Sequence, residues 1–213
     1  MEIRYPTAAD LAAITDDAAG FVDRLLDVVE HDIVPLTREG VARGNKLFGG
    51  AVLDKADLSV VVAVTNRETA NPINHGEIST INAFYELDRA DRPAAADTIF
   101  LSTHEPCPLC LGAITWGGWN NFFYVFSYED SMDAFAIPHD IRLNEEIWRV
   151  ADGEYDHKNR YWCAWSVREV ARAVGEADRA RLLARLDGLR GTYDELSEVY
   201  QASKGQGAEI PLP

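Results

Sequence analysis

Apolar residues near the start of the chain recur every three to four positions. Phe21, Leu25, Val28 or Val29, and Ile33 mark one face of a helix that should run through Val41. Pro35 falls inside that pattern and should kink or split it. Gly40 and Gly44 suit its end. A shorter helix should precede it, opened by Thr7 with Asp10 three positions on and broken at Thr15-Asp16-Asp17. The spacing then changes. Leu47 to Leu53 and Leu58 to Thr65, the second with the apolar run Val60 to Val64, are read as two buried strands paired across an Asp54–Asp57 turn. Ile78, Ile81 and Tyr85 return to helical spacing, which predicts a helix over 75–88. A strand over 98–103, a helix from Pro106 to about Trp116 stopped by Gly117-Gly118, and a strand over 121–127 follow. Strand, helix, strand in that order gives a parallel pair with a right-handed crossover, hence an α/β architecture.

Beyond residue 127 the pattern is less regular. Ile141 to Val150 can be helical, and Tyr155, Tyr161, Trp162 and Trp165 form an aromatic block. That block either anchors the C-terminal helices to the core or closes over a pocket. Val167, Val170 and Val174, then Leu182, Leu186 and Leu189, mark helical faces. Thr192-Tyr193-Asp194-Glu195 has the form of a capping box, which predicts a separate last helix to about Ser203 and then a loose tail over 205–213. The organisation expected is an N-terminal extension over 1–20, a core domain over 21–152, and an aromatic and helical extension over 153–213.

Chemistry concentrates at two places. His75-Gly76-Glu77 opens one predicted helix, and Pro106-Cys107-Pro108-Leu109-Cys110 opens another. Imidazole and thiolate are zinc ligands, and cysteines at i and i+3 can face one point on a single turn. His75, Cys107 and Cys110 make three ligands, which leaves a fourth position for water. Glu77, not needed as a ligand, can serve as general acid and base beside that water. A structural zinc module would instead need a fourth protein ligand, with His104 the nearest in sequence. Cys163, between Trp162 and Ala164, reads as a core thiol.

The chain has 213 residues, 47% of them hydrophobic, enough for one compact core with extensions. No apolar run approaches the ~20 residues of a membrane helix. The N-terminus lacks an apolar signal core, and three cysteines argue against a disulfide framework, so a cytoplasmic protein is expected. The formal net charge of −15 argues against a nucleic-acid partner held through phosphates.

The order H-x-E followed by P-C-x-x-C is the signature of the zinc deaminases. From about residue 22 to 150 the chain resembles the cytidine-deaminase-like superfamily, on its nucleobase and tRNA adenosine deaminase branch. Glu105 to Ile114 is similar to the cysteine motif of bacterial guanine deaminases, and His75 to Thr80 to the histidine motif of fungal cytosine deaminases. Phe48-Gly49-Gly50-Ala51-Val52 resembles the family's first strand. The resemblance implies a three-layer α/β/α sandwich around a mixed five-stranded sheet, for which Trp148 to Asp152 is the candidate fifth strand. It implies a zinc-dependent aminohydrolase acting on a small aminated base or nucleoside, and a homodimer. It also implies substrate-binding roles for Asn66, at the end of the second strand, and for Asp140, near a base-reading aspartate. Their alternatives are an ordinary turn residue and a solvated surface acid. His104 either lines the pocket or caps its strand. The rivals are a tRNA adenosine deaminase and a non-catalytic zinc module.

Overall fold

The computed structural model describes residues 3–204 and 210–212. Among the described residues, five strands form one mixed sheet: β1 (Gly49–Asp54), β2 (Val60–Thr65), β3 (Thr98–His104), β4 (Asn121–Phe126) and β5 (Cys163–Ser166), in the order β2-β1-β3-β4-β5. β1 pairs antiparallel with β2 and β3, while β3, β4 and β5 run parallel. β3 is buried along its whole length, as a central strand covered on both faces must be.

The two faces carry two cores, which gives the expected three layers. Val52, Phe100, Phe122, Tyr124 and Ala164 point to one side and pack with Phe84, Ile114, Trp119 and Trp162. These come in part from α4 (Gly76–Glu86) and α5 (Pro108–Gly117). Ala51, Leu53, Leu101, Phe123 and Trp165 point to the other side. There they meet α2 (Ala18–Val28), α3 (Val34–Ala42), α7 (Val167–Ala173) and α8 (Glu176–Ser203). Alternation of neighbours such as Phe122 and Phe123 between the cores is the period of two expected of strands.

Most elements follow the sequence pattern. Thr7 opens α1 (Ala8–Ala12), with the Asp10 carboxylate accepting from the Thr7 N–H at 2.8 Å. The long helix through Pro35 is split as expected: a π-helical turn over Val29–Ile33 joins α2 to α3, and Pro35 lies in the first turn of α3. There its missing N–H matters least. Gly118, at φ +86°, ends α5 in the left-handed conformation glycine tolerates.

Two expectations are overturned. Residues 148–152 are not the fifth strand: Asn144–Trp148 is a π-helical turn continuing α6 (His139–Leu143), Arg149 is left-handed at φ +59°, and Ala151–Gly153 is a 3-10 turn. An edge strand beside β4 must bury both faces, and Arg149 and Asp152 bracket only two apolar residues. Cys163–Ser166 is free of charge and takes that place. Nor does a new helix begin at Thr192, since α8 runs unbroken through it. Leu182, Leu186, Leu189, Tyr193, Leu196 and Tyr200 form one buried stripe, and packing of that stripe outweighs the local capping signal. Of the tail expected to be loose, 205–209 and 213 lie outside the described residues.

The N-terminal segment is tied to the core through His157. Its ring stacks between Tyr5 and Tyr155, with centroids 4.9 and 4.4 Å away, and Glu105 Oε1 lies 3.7 Å from its Nε2. Arg4 pairs with the neighbouring Asp156. Burial lowers the His157 pKa to about 4 against a weaker opposing pull from Asp156. A folded pKa below the unfolded value of about 6.5 means stability present above that pH and lost as pH falls toward the folded value. Melting temperatures of wild type and His157→Asn between pH 7 and 4 should therefore converge on acidification, with wild type losing more. Parallel curves would show that folding does not shift the His157 pKa.

Candidate metal centre and cavity

His75 is the residue that precedes α4, and its carbonyl accepts the Ser79 N–H at 2.8 Å to start the helix. The helix begins hard against β1: a Cβ at Gly76 would stand 2.8 Å from the Phe48 carbonyl and the Gly49 nitrogen. Only glycine allows that approach. Cys107 is the residue that precedes α5, Pro108 fills its first turn, and Cys110 follows one turn in. The parallel β3 and β4 set α5 over the sheet edge where α4 starts, so two helix N-termini converge at the strand ends.

Three ligand atoms meet there. His75 Nδ1 lies 3.4 Å from Cys107 Sγ and 3.7 Å from Cys110 Sγ, and the two sulfurs are 3.5 Å apart. These are the edges of a tetrahedron whose centre is roughly 2.0–2.3 Å from each atom, the bond lengths zinc takes with imidazole and thiolate. The donor set and its geometry therefore fit zinc. His75, Cys107 and Cys110 form the group, and His104 does not join it. Burial opposes charge on His75, but Cys107 and Glu68 beside it raise its pKa to about 9. The bond with Cys110, against burial and with help from His75, favours the Cys107 thiolate.

Glu77 sits beside the group without belonging to it. It is buried, its Oε1 accepts from Ser102 Oγ on β3 at 2.9 Å, and its Oε2 lies 3.3 Å from Cys110 Sγ. Burial first, and the Cys107 charge second, push its pKa up.

A cavity of about 460 Å³ opens over His75 and Cys107. Its apolar wall includes Phe48, Ile73, Leu109, Ile137 and Trp148, with Ile210–Leu212 returning to close one side. Its polar lining includes Lys46, Glu68 and Asp140. A larger cavity of about 660 Å³ lies between the N-terminal segment and β5–α7 and holds none of the metal group.

The remaining residues singled out from sequence fall apart in space. Asp140, in the first turn of α6, is buried and lines the cavity, so it is not a solvated surface acid. Burial, then the Cys107 and Glu77 charges, raise its pKa well above the usual carboxylate range. Asn66 is fully buried and does not line the cavity: its amide donates to Glu68 Oε2 at 2.7 Å and its oxygen accepts the Glu68 N–H at 3.0 Å. His104 ends β3 inside a shell of Phe48, Phe126, Phe135 and Tyr193, with Nδ1 2.9 Å from Thr103 Oγ1. Burial keeps it neutral, and it does not line the cavity. The aromatic block is structural: Trp162 and Trp165 are buried, their Nε1 atoms donate to Thr115 and Asn121, and none of its residues lines the metal cavity. Cys163 stands on β5, half-buried against the core.

The sequence reading missed Lys46 and Glu68. They are buried, and Lys46 Nζ donates to Glu68 Oε1 at 3.0 Å. Glu68 Oε1 also lies 3.6 Å from His75 Nε2. The signal was present as a lysine inside the apolar approach to β1, but charged residues at strand entries are ordinarily exposed.

Residues 31–126 match the family described as the cytidine and deoxycytidylate deaminase zinc-binding region. A guanine deaminase of Bacillus subtilis (strain 168) is 33% identical across 47% of this chain, which covers 64% of that relative's length. Among solved structures, a guanine deaminase from Bacillus subtilis is 28% identical over 55% of this chain and 69% of its own, with a TM-score of 0.39. One from Nitrosomonas europaea is 16% identical over 89% of this chain and 97% of its own, with a TM-score of 0.44. His75, Cys107 and Cys110 all lie within the residues that match this family.

Proposed function

We propose that the protein is a zinc-dependent hydrolytic deaminase of a small aminated heterocycle, a free purine or pyrimidine base of the guanine type or its nucleoside. The observation that carries this is Glu77: a buried carboxylate beside three metal ligands, not one of them, two of which line a cavity large enough for a flat ring. A closed structural site would have no use for it. Zinc on His75, Cys107 and Cys110 would supply the Lewis acidity that brings a water's ionisation near neutral pH.

The protein's own groups do the rest. Ser102 holds Glu77 Oε1, which leaves Oε2 to take the proton from the attacking water. Glu77 passes that proton to a ring nitrogen, then takes the second proton from the added hydroxyl and gives it to the departing amine. The ring carbon gains an oxygen, its bond to the exocyclic nitrogen breaks, and ammonia and a carbonyl product leave. Asp140 faces the same cavity and can hold the ring's donor edge, while Phe48, Ile73 and Trp148 exclude bulk water. Asn66, committed to Glu68, supports this wall from behind.

The reading includes self-association. The α5 helix has no charged residue in a chain of net charge −15, yet it exposes Leu109 and leaves Trp116 93% exposed. A second copy is the partner expected over that face. A reducing, cytoplasmic setting suits a thiolate metal group, and no helix among the described residues is long and apolar enough to cross a membrane.

Three outcomes are expected. Purified protein should carry one zinc per chain, and Cys110→Ala should lose it, measured by elemental analysis after dialysis. Zinc retained by that variant with full activity would remove the ligand assignment. Glu77→Gln should keep zinc and fold while ammonia release from the best of a panel of bases, nucleosides and triazines drops at least about a hundredfold, the usual worth of a positioned proton carrier. Normal turnover there would favour a non-catalytic zinc role, and preference for an RNA hairpin over every base would favour tRNA. Trp116→Glu should shift the assembly to monomer in sedimentation velocity, and a monomeric wild type would dispose of the dimer.

A further inference from the structure

We propose that Lys46, held by Glu68, reads a hydrogen-bond-accepting oxygen on the substrate ring, so that the site selects heterocycles carrying an oxo group as well as the amine. This rests on the heterocycle reading above and adds the chemistry of the ring's second edge.

Lys46 is buried to 5% exposure and Glu68 to 3%, and both face the cavity over the metal group. A buried ion pair of this kind contributes little net stability, because desolvation of the two charges offsets their attraction. An apolar pair of similar volume would serve the fold as well. The pair's position is what sets it apart: it stands on the wall of the cavity that also holds His75, Cys107 and Asp140.

The ammonium has three N–H donors. Among the described residues its hydrogen-bond acceptor is Glu68 Oε1, at 3.0 Å. The remaining donors belong to a group that lines the cavity. Glu68 in turn is fixed from both ends. Its Oε2 takes the Asn66 amide at 2.7 Å, its own N–H goes to Asn66 Oδ1, and its Oε1 is shared between Lys46 and the His75 edge. The chain around Lys46 is equally immobile. Asn45 Nδ2 donates to the Gly40 carbonyl at 3.2 Å, and Asn45 Oδ1 accepts the Thr69 N–H at 2.9 Å. The donor is therefore preorganised.

The cavity then presents two unlike polar features to a flat ligand. Asp140 offers a carboxyl oxygen for a ring or amine N–H group, and Lys46 offers N–H groups for an acceptor. A ring with an oxo group satisfies both. A ring without one leaves a buried ammonium donor unpaired once water is excluded, and a site built around such a donor discriminates strongly against the ligand lacking its partner.

Purine and hypoxanthine test this directly on the zinc-loaded protein, since neither carries an exocyclic amine to be turned over. They differ by one exocyclic oxo group and the ring N–H proton that accompanies it. Calorimetric titration should show hypoxanthine binding tighter to wild type. Lys46→Met should weaken hypoxanthine at least about tenfold, the scale of a lost charge-assisted hydrogen bond, and leave purine within about twofold. Because Lys46→Met strands a buried carboxylate, the double variant Lys46→Met/Glu68→Met carries the same test with both charges gone, and melting temperature monitors its fold. It should show the same loss for hypoxanthine alone. In turnover, kcat/KM for cytosine over 4-aminopyrimidine, and for guanine over 2-aminopurine, should collapse toward unity in either variant. Equal weakening of both ligands, or of neither, overturns the role of Lys46 while leaving deamination intact. A wild-type protein that binds neither ring and releases no ammonia from any base overturns the heterocycle reading itself.

Discussion

The site depends on one close approach. The start of α4 can place His75 within reach of Cys107 and Cys110 only because residue 76 has no side chain where it meets the Phe48–Gly49 backbone. A methyl group there would displace the helix from β1 by a large fraction of a bond length. Each ligand distance would widen with it, and a tetrahedral metal tolerates errors of only about 0.2 Å. The other half of the geometry comes from the sheet. Because β3 and β4 are parallel, the chain must cross over by a helix, and α5 delivers its cysteines at the same end of the strands where α4 begins. Ser102 on β3 then fixes Glu77 from beneath. Fold and chemistry share the same backbone contacts.

The parts legible from sequence were those set by local spacing. The strands β1 to β4, the helix starts at His75 and Cys107, the split at Pro35 and the ligand set all follow from periodicity, proline and glycine positions and donor type. What escaped was set at long range. β5 has only four residues and an unremarkable composition, so its place beside β4 is visible only once the sheet edge exists. The capping box at Thr192 is a sound local signal, overruled because Tyr193, Leu196 and Tyr200 continue a stripe begun at Leu182. Asp140 and His104 show the same limit from opposite sides. Sequence position placed both near a site, and burial sends one to the cavity and the other to an aromatic shell.

Charge adds a layer that composition conceals. The net charge of −15 is a surface property, whereas the cavity mixes Lys46 with Glu68 and Asp140. Buried charges interact through a lower effective dielectric than surface ones and are screened far less by salt. A small heterocycle entering the cavity therefore meets the arrangement of these few groups, while the surface charge acts mainly on what approaches from a distance. Acidity overall is thus compatible with a donor inside, and bulk charge cannot be used to infer what the interior recognises.

The C-terminal helix reaches the cavity through the segment that carries Asp140. Ser197 Oγ and Gln201 Nε2 both donate to the Phe135 carbonyl, at 3.2 and 2.9 Å, and Arg190 pairs with Asp130. Phe135 packs against Tyr193 and His104, and two residues later Ile137 enters the cavity wall, followed by Asp140. The segment between β4 and α6 makes a π-helical turn over Asp130–Ala134, and at its end Phe135 is held by the surface it packs on. That surface is α8. A single buried stripe along one helix face therefore holds the sheet's second layer and, through the Phe135 carbonyl, sets where the cavity's carboxylate stands. A helix that touches no ligand can shape specificity in this way, and a break in α8 at Gly191 or Thr192 would have decoupled the two tasks.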